Sequence, residues 1–305
     1  MQFIGIGALN LDRLYKVSKI AAGDEELPVE ETNEEPGGSA ANTIYALGKL
    51  KQRAGFIGTV GNDDEGRKLL GSLNSVGVDT SHIKIKANSR TGLVIGLVDS
   101  KGERALYIAP GANNLLSEKD IDNNFLMKAE IIHLSSFVEE KQFDAQKKLV
   151  EVLDRDVNKL SFAPGSLYVR RGLDALSSII KRCHVLFLNE QEAKILTDKN
   201  YESASKYLID MGCKMVAITL KEKGCFVTDG TSSEHVEAIK TNVIDTTGAG
   251  DAFCAGFLYG LSQEKKLEDC AFIGNHLASK CISEMGARKG LPDKEELDRG
   301  LADIF

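Results

Sequence analysis

Seven consecutive residues, Asp245-Thr246-Thr247-Gly248-Ala249-Gly250-Asp251, run directly into the apolar stretch 252–258. A Gly-Ala-Gly run lets the main chain take unusual conformations and lets a ligand approach it closely. Where such a run opens a helix, the first amides have no intrahelical acceptor, and the helix dipole adds partial positive charge. The result is an anion site, formed here by Gly248, Ala249 and Gly250, with the Asp251 carboxylate at its mouth. That pairing suits a reaction in which an alcohol loses its proton while negative charge builds on the group it receives, as in phosphoryl transfer to a hydroxyl. Taken alone, the stretch fits equally well an N-capped core helix with glycine for packing and aspartate for the dipole.

A second stretch of the same kind lies far upstream. Pro36-Gly37-Gly38-Ser39-Ala40-Ala41-Asn42 opens a helix with Ile44, Leu47 and Leu50 on one face. One such helix start suits an acceptor and the other its phosphate donor. Further polar groups stand where apolar strands end, the place where ligands gather in parallel sheets. Asn10 and Asp12 follow a strand over 3–9 and are candidates for holding a polar substrate, or simply turn residues. Asn189 and Glu192 follow a strand over 185–188, and their i, i+3 spacing puts both on one helical face. They would suit water-mediated Mg²⁺, which takes few protein ligands, or the acid-rich first turn of a helix. Thr219, Lys221 and Gly224 follow a strand over 215–219 and would line a nucleotide pocket or form a β-turn. Arg170 and Arg171 suit a phosphate or a solvated surface. Asn275 lies on a late helix, and a polar loop over 283–290 follows it.

The elements that must position these groups alternate. Strands over 56–61, 131–134, 185–188, 215–219 and 225–228 are separated by helices at about 64–76 and 141–153. That alternation implies a mainly parallel sheet with helices on both faces. Two β-rich runs, 91–98 and 104–108, are joined by the turn signal Asp99-Ser100-Lys101-Gly102-Glu103. With short strands near 14–17 and 27–32 they would make a small projecting sheet. The 305 residues, 42% hydrophobic, suffice for one large α/β domain. The net charge of -7 and the lack of a basic block argue against a nucleic-acid binder. No apolar run is long enough for a membrane span, and residues 1–7 read as a strand rather than a signal peptide. Six cysteines without a C-x-x-C pair read as reduced core residues of a cytoplasmic protein, and five histidines show no metal-ligand spacing. No P-loop sequence occurs, and Gly5-Ile6-Gly7 lacks the third glycine of a dinucleotide fingerprint.

Taken in order, Gly37-Gly38-Ser39-Ala40-Ala41-Asn42, Gly58-x-Val60-Gly61-x-Asp63-x-x-Gly66, Pro110-Gly111-Ala112-Asn113-Asn114, Asn189-x-x-Glu192 and the 245–251 stretch resemble the ribokinase (PfkB-type) family of carbohydrate and nucleoside kinases. The resemblance runs nearly end to end. It implies one α/β domain over 1–305, a three-layer α/β/α sandwich with a small β-sheet lid made by insertions at about 13–36 and 89–109. It implies transfer of the γ-phosphate of ATP to a hydroxymethyl group of a sugar or nucleoside, with Asp251 as base and the 248–250 amides as anion hole. Asn10, Asp12, Gly38 and Asn42 would hold the acceptor. Asn189, Thr219, Lys221, Gly224 and Asn275 would surround the nucleotide. Glu192 would position Mg²⁺ through water. Asp245 and Thr247, with Ser283 in the late loop, would match a monovalent-cation (K⁺) site. Two departures leave the acceptor open among ribose, fructose, a nucleoside and a phosphorylated pentose. Ser39-Ala40 replaces Lys-Gly in the first motif, and Ser135 falls where ribokinases carry a ribose-contacting glutamate. An exposed lid edge would allow two copies to pair into a homodimer.

Overall fold

The computed structural model describes residues 1–99, 104–154 and 157–302. Its strands are β1 (Phe3–Ile6), β2 (Asn10–Val17), β3 (Val29–Gly37), β4 (Ala54–Gly61), β5 (Ile83–Lys86), β6 (Gly92–Val98), β7 (Arg104–Ala109), β8 (Ile131–Ser135), β9 (Lys159–Ala163), β10 (Val185–Asn189), β11 (Met215–Thr219), β12 (Cys225–Thr228) and β13 (Ser233–Val236). Among the described residues, nine of them form one sheet in the order β13-β12-β11-β10-β9-β8-β1-β4-β5. Every pairing from β11 through β5 is parallel, and β12 and β13 add antiparallel.

β1, β4 and β8 lie in the middle of the sheet and are buried at every position. This is why they read as continuous apolar runs rather than alternating ones. Alternate side chains still go to opposite faces. Phe3 and Phe56 join a core cluster with the helices Ser39–Lys49, Ala249–Ser262 and Leu267–Cys281. Ile4, Ile6 and Ile57 join the other cluster, with the helices Glu140–Val152, Leu173–Ile180, Glu190–Thr197 and Tyr201–Asp210. The body is therefore a three-layer α/β/α sandwich.

The other four strands make a separate sheet ordered β3-β2-β6-β7. β2 and β3 run longer than the sequence suggests, and β3 carries Pro36, which an edge strand tolerates because no partner needs its missing N–H. The first strand is shorter than expected and stops at Ile6, where the chain turns out of the body towards the small sheet. The turn anticipated at 99–103 lies, apart from Asp99, outside the described residues.

Two polar clamps join the small sheet to the body. Asn113 Oδ1 accepts from Leu9 N at 2.9 Å, while its Nδ2 donates to Leu9 O and to Asn10 Oδ1. Asp63 caps the Asp64–Ser75 helix by accepting from Gly66 N, and also accepts from Thr91 N and Thr91 Oγ1. The Gly61-x-Asp63-x-x-Gly66 motif thus anchors the root of β6.

Candidate active site

Strand order reverses across β1 and β8, and a crevice opens beyond the carboxyl ends of these strands. A pocket of about 250 Å³ lies there. Asn10 and Asp12 come from the chain after β1, Ser136 and Phe137 from the chain after β8, and Gly38, Ser39 and Asn42 from the first helix. Each glycine of the upstream pair has its own task. A side chain at Gly37 would collide with the Asp12 carboxylate. Gly38 has φ 102°, and a side chain there would strike the Ala8 carbonyl. Together they let the helix start press against β2.

Asp251 sits on the first turn of the Ala249–Ser262 helix and faces this pocket. Its Oδ1 accepts from Ser39 Oγ at 2.7 Å and its Oδ2 from Asn42 Nδ2 at 2.9 Å. Thr43 Oγ1 donates to the Asp251 carbonyl, which fixes the main chain as well. Burial raises the Asp251 pKa, while the two side-chain hydrogen bonds and the nearby Arg288 charge pull it back. Asp12 is pushed up to about 7, chiefly by burial; Arg288 opposes the shift and the Asp251 charge adds to it.

A cleft of about 1160 Å³ lies on the other side of the same helix start. Thr219, Lys221, Gly224 and Asn275 all line it, as the sequence anticipates. Lys221 and Gly224 also form the turn that the same residues allow, since Gly224 N donates to Lys221 O. Asn275 Nδ2 donates to the carbonyls of Val236 and Glu237, both at 3.0 Å, so it holds the cleft wall at the end of β13.

Residues 246–251 divide the two spaces. Thr247, Gly248 and Asp251 face the smaller pocket; Thr246, Ala249 and Gly250 face the larger cleft. Gly248 is left-handed (φ 79°), and a side chain would run into Ala287. Among the described residues, the amides of Gly248 and Gly250 make no hydrogen bond. Ala249 differs from expectation, because its N–H donates to Thr246 O at 3.3 Å. That bond is long and closes the turn, so two of the three anticipated donors are open and the third is partly engaged.

Asn189 and Glu192 line neither pocket. They form a reciprocal capping box: Asn189 Oδ1 accepts from Glu192 N at 2.8 Å and Glu192 Oε2 from Asn189 N at 3.0 Å. The capping reading is satisfied, yet Glu192 remains within electrostatic reach of Asp251. Burial and then that neighbouring charge raise its pKa, against its bonds to Asn189. Two carboxylates close enough for their charges to interact fit an Mg²⁺ held mostly through water. No group of three or more His, Cys, Asp or Glu suited to a metal occurs among the described residues. Asp245 and Thr247 are together, but Asp245 already accepts from Thr247 N, Thr247 Oγ1 and Gly286 N. Ser283 turns its hydroxyl back to Lys280 O. Asp245 therefore ties its own turn to the late loop at Gly286.

Ser135 is buried and accepts from Ala40 N at 3.1 Å. It steadies the first helix, and Ser136 takes the pocket-facing position. Arg171 pairs with Glu140 and lies over the rings of Phe143 and Tyr168, and Arg170 is exposed outside the pocket. Neither faces the acceptor space. A residue near the site that sequence reading did not single out is Arg288, buried and bonded to Asn42 Oδ1. A lone arginine in a loop carries no local sign of burial.

Comparison with known proteins agrees with this architecture. A relative from Archaeoglobus fulgidus, described as an uncharacterized sugar kinase, is 40% identical over 249 residues, covering 81% of this chain and 98% of the relative. An ATP-dependent ribose-1-phosphate kinase from Halopiger xanaduensis is 29% identical over 288 residues, covering 94% of each chain. The crystal structure of ribokinase from Thermotoga maritima superposes with a TM-score of 0.87 at 26% identity, covering 99% of each chain. The fold is that of the ribokinase-like kinases, and the enzyme is a kinase. The pfkB family carbohydrate kinase pattern matches residues 3–294, and the chain belongs to that family.

Proposed function

We propose that this kinase moves the γ-phosphate of ATP to a hydroxymethyl group of a sugar or nucleoside bound in the smaller pocket. The observation that carries the reading is the single glycine-rich helix start walling both pockets, which brings acceptor and donor to one point. Asp251 takes the proton of the attacking hydroxyl, with Ser39 and Asn42 fixing its carboxylate in place. The open amides of Gly248 and Gly250 receive the charge that builds on the transferred group. Asn10 and Asp12 orient the acceptor's other hydroxyls. Glu192 would hold Mg²⁺, which when bound neutralises phosphate charge. The small sheet acts as a lid over the acceptor, excluding water, since Val94 of β6 and Ile108 of β7 line the pocket.

Within that class the lining favours an uncharged acceptor with an apolar part. No lysine or arginine lines the smaller pocket among the described residues, whereas Val94, Ile108, Phe137, Val138 and Leu167 do. A phosphorylated pentose would find no cation there, and a nucleoside base would find an apolar wall. An ADP-release assay with ribose, fructose, adenosine, inosine, cytidine and ribose 1-phosphate tests both levels. Turnover is expected, highest with a nucleoside. No ADP release with any acceptor, despite nucleotide binding, would mark a non-catalytic binding protein instead. The exposed Leu106 and Tyr107 on the edge strand β7 support pairing of two copies through the lid; sedimentation equilibrium showing only monomer would remove that pairing.

A further inference from the structure

Arg288 is 6% exposed, yet no carboxylate lies within ion-pairing distance of it among the described residues. Burying a guanidinium without a direct partner is costly, and its surroundings show what the charge faces. Nε donates to Asn42 Oδ1 at 2.9 Å, Nη1 donates to Ser72 Oγ at 2.9 Å, and the guanidinium lies 4.8 Å from the centre of the Tyr45 ring. Nη2 is buried without a hydrogen-bond partner, and so is Oδ1 of Asp12. The charges of Asp12, Asp251 and Glu35 all bear on Arg288.

A side-chain amide has one accepting end and one donating end. Because Arg288 takes the oxygen of Asn42, only the NH₂ end is left for Asp251. In the opposite orientation the amide oxygen would face a carboxylate oxygen and the guanidinium would face an NH₂ group, and both contacts are repulsive. Arg288, 246 positions away in sequence, thus fixes the oxygen end of Asn42 while Asp251 takes the other end.

We propose that Arg288 is a positioning residue for the transfer step, locking the Asn42 amide so that its NH₂ group faces Asp251 and holds that carboxylate towards the acceptor. The step it serves rests on the kinase reading above, but the lock itself is a property of the ligand-free protein. The two are therefore tested separately.

The first arm is a crystal structure of ligand-free Arg288→Met. The Asn42 oxygen loses its partner, and the amide is expected to shift and lengthen or lose its contact with Asp251. An unchanged contact between Asn42 Nδ2 and Asp251 overturns the proposal, whatever the enzyme phosphorylates. The second arm is a double-mutant cycle, read with whichever panel acceptor the wild type turns over best. Arg288→Met and Asn42→Ala should each lower kcat about 10–100-fold, the scale of a misplaced reacting group. ADP affinity, read by calorimetry, should stay within about twofold of wild type. The double variant should be little worse than either single one, as expected for two residues acting through one contact. Additive losses, or an equal loss of ADP affinity, indicate a general packing role and overturn the proposal. Should Arg288→Met fail to fold, Arg288→Lys serves in both arms. It keeps the charge but not the planar fork, and should hold the Asn42 amide less firmly, with an intermediate kcat. If the wild type releases ADP with no acceptor, the kinase reading falls and the crystallographic arm still decides the lock.

Discussion

Around the 250 Å³ pocket, Asp12, Asn42, Asp251 and Arg288 converge from four separated segments, and each is held by other side chains or by the charge of the others. Around the 1160 Å³ cleft, the wall comes mostly from residues between 235 and 246 and from the turn at 221–224, with Asn275 pinning two carbonyls. The difference is one of chemical demand. An acceptor hydroxyl must be aimed to within a fraction of an ångström. A nucleotide offers a flat base and a chain of charges that main-chain amides and loose walls can satisfy. The side-chain network of the smaller pocket should therefore be brittle to substitution, and the loop wall of the cleft tolerant.

The largest expected effect sits where the two spaces meet. Asp251→Asn should lower kcat about 10²–10⁴-fold with nucleotide affinity nearly unchanged, and near wild-type turnover in that variant would remove the proposed base. Gly248→Val is next. A β-branched residue at φ 79° would strike Ala287 and shift the open amides. A loss of about 10–100-fold in kcat is expected, with a stability cost of about 1–3 kcal/mol. An undisturbed kcat there would show that the helix-start amides are not used.

Asp12 sharpens the contrast because the smaller pocket keeps a carboxyl buried at a cost in stability. Its folded pKa of about 7 lies above the ordinary aspartate value of 3.8. The folded chain therefore binds more protons than the unfolded one between these values, and this contribution to stability is lost as pH rises from about 4 through 7. At pH 8 Asp12→Asn should melt higher than wild type in the absence of ligand, by at most about 4 kcal/mol equivalent, while acceptor KM rises. A melting temperature that falls at pH 8 would contradict the assignment of burial as the main cause. The smallest effect belongs to the cleft. Asn275→Ala releases two carbonyls of a solvent-facing wall and should raise KM for ATP only about three- to tenfold, with kcat retained. A collapse of kcat would show that the cleft is as tightly built as the pocket.

Much of the frame is legible from local pattern. Buried parallel strands announce themselves as apolar runs, and each glycine-rich helix start stands out because few other structures need that composition. β9 and β13 escape notice for a physical reason: Lys159–Ala163 places Ser161 in the middle of the sheet, paired with His133, and Ser233–Val236 is a short exposed edge. In the site, Asn10, Asp12, Gly38, Asn42 and Asp251 were anticipated from strand ends and helix starts, whereas the apolar wall of Val94, Ile108, Phe137, Val138 and Leu167 was not, because nothing local marks an apolar residue as pocket-facing. Asn189 and Glu192 serve as a helix cap as well as a charge near Asp251, a double use that spacing alone does not resolve. Arg288 was beyond reach, since its burial depends entirely on packing against Tyr45, Ser72 and Asn42.

The distance along the chain between Asp251 and its two hydrogen-bond donors, 212 and 209 positions, has a consequence for biosynthesis. At typical elongation speeds of about 5–20 residues per second, Ser39 and Asn42 emerge from the ribosome roughly 10–40 s before the carboxylate they will hold. A truncated translation product ending before residue 251 lacks the carboxylate that Ser39 and Asn42 hold. Two co-expressed halves divided near 214, between the Tyr201–Asp210 helix and β11, would regain turnover only by reassembling.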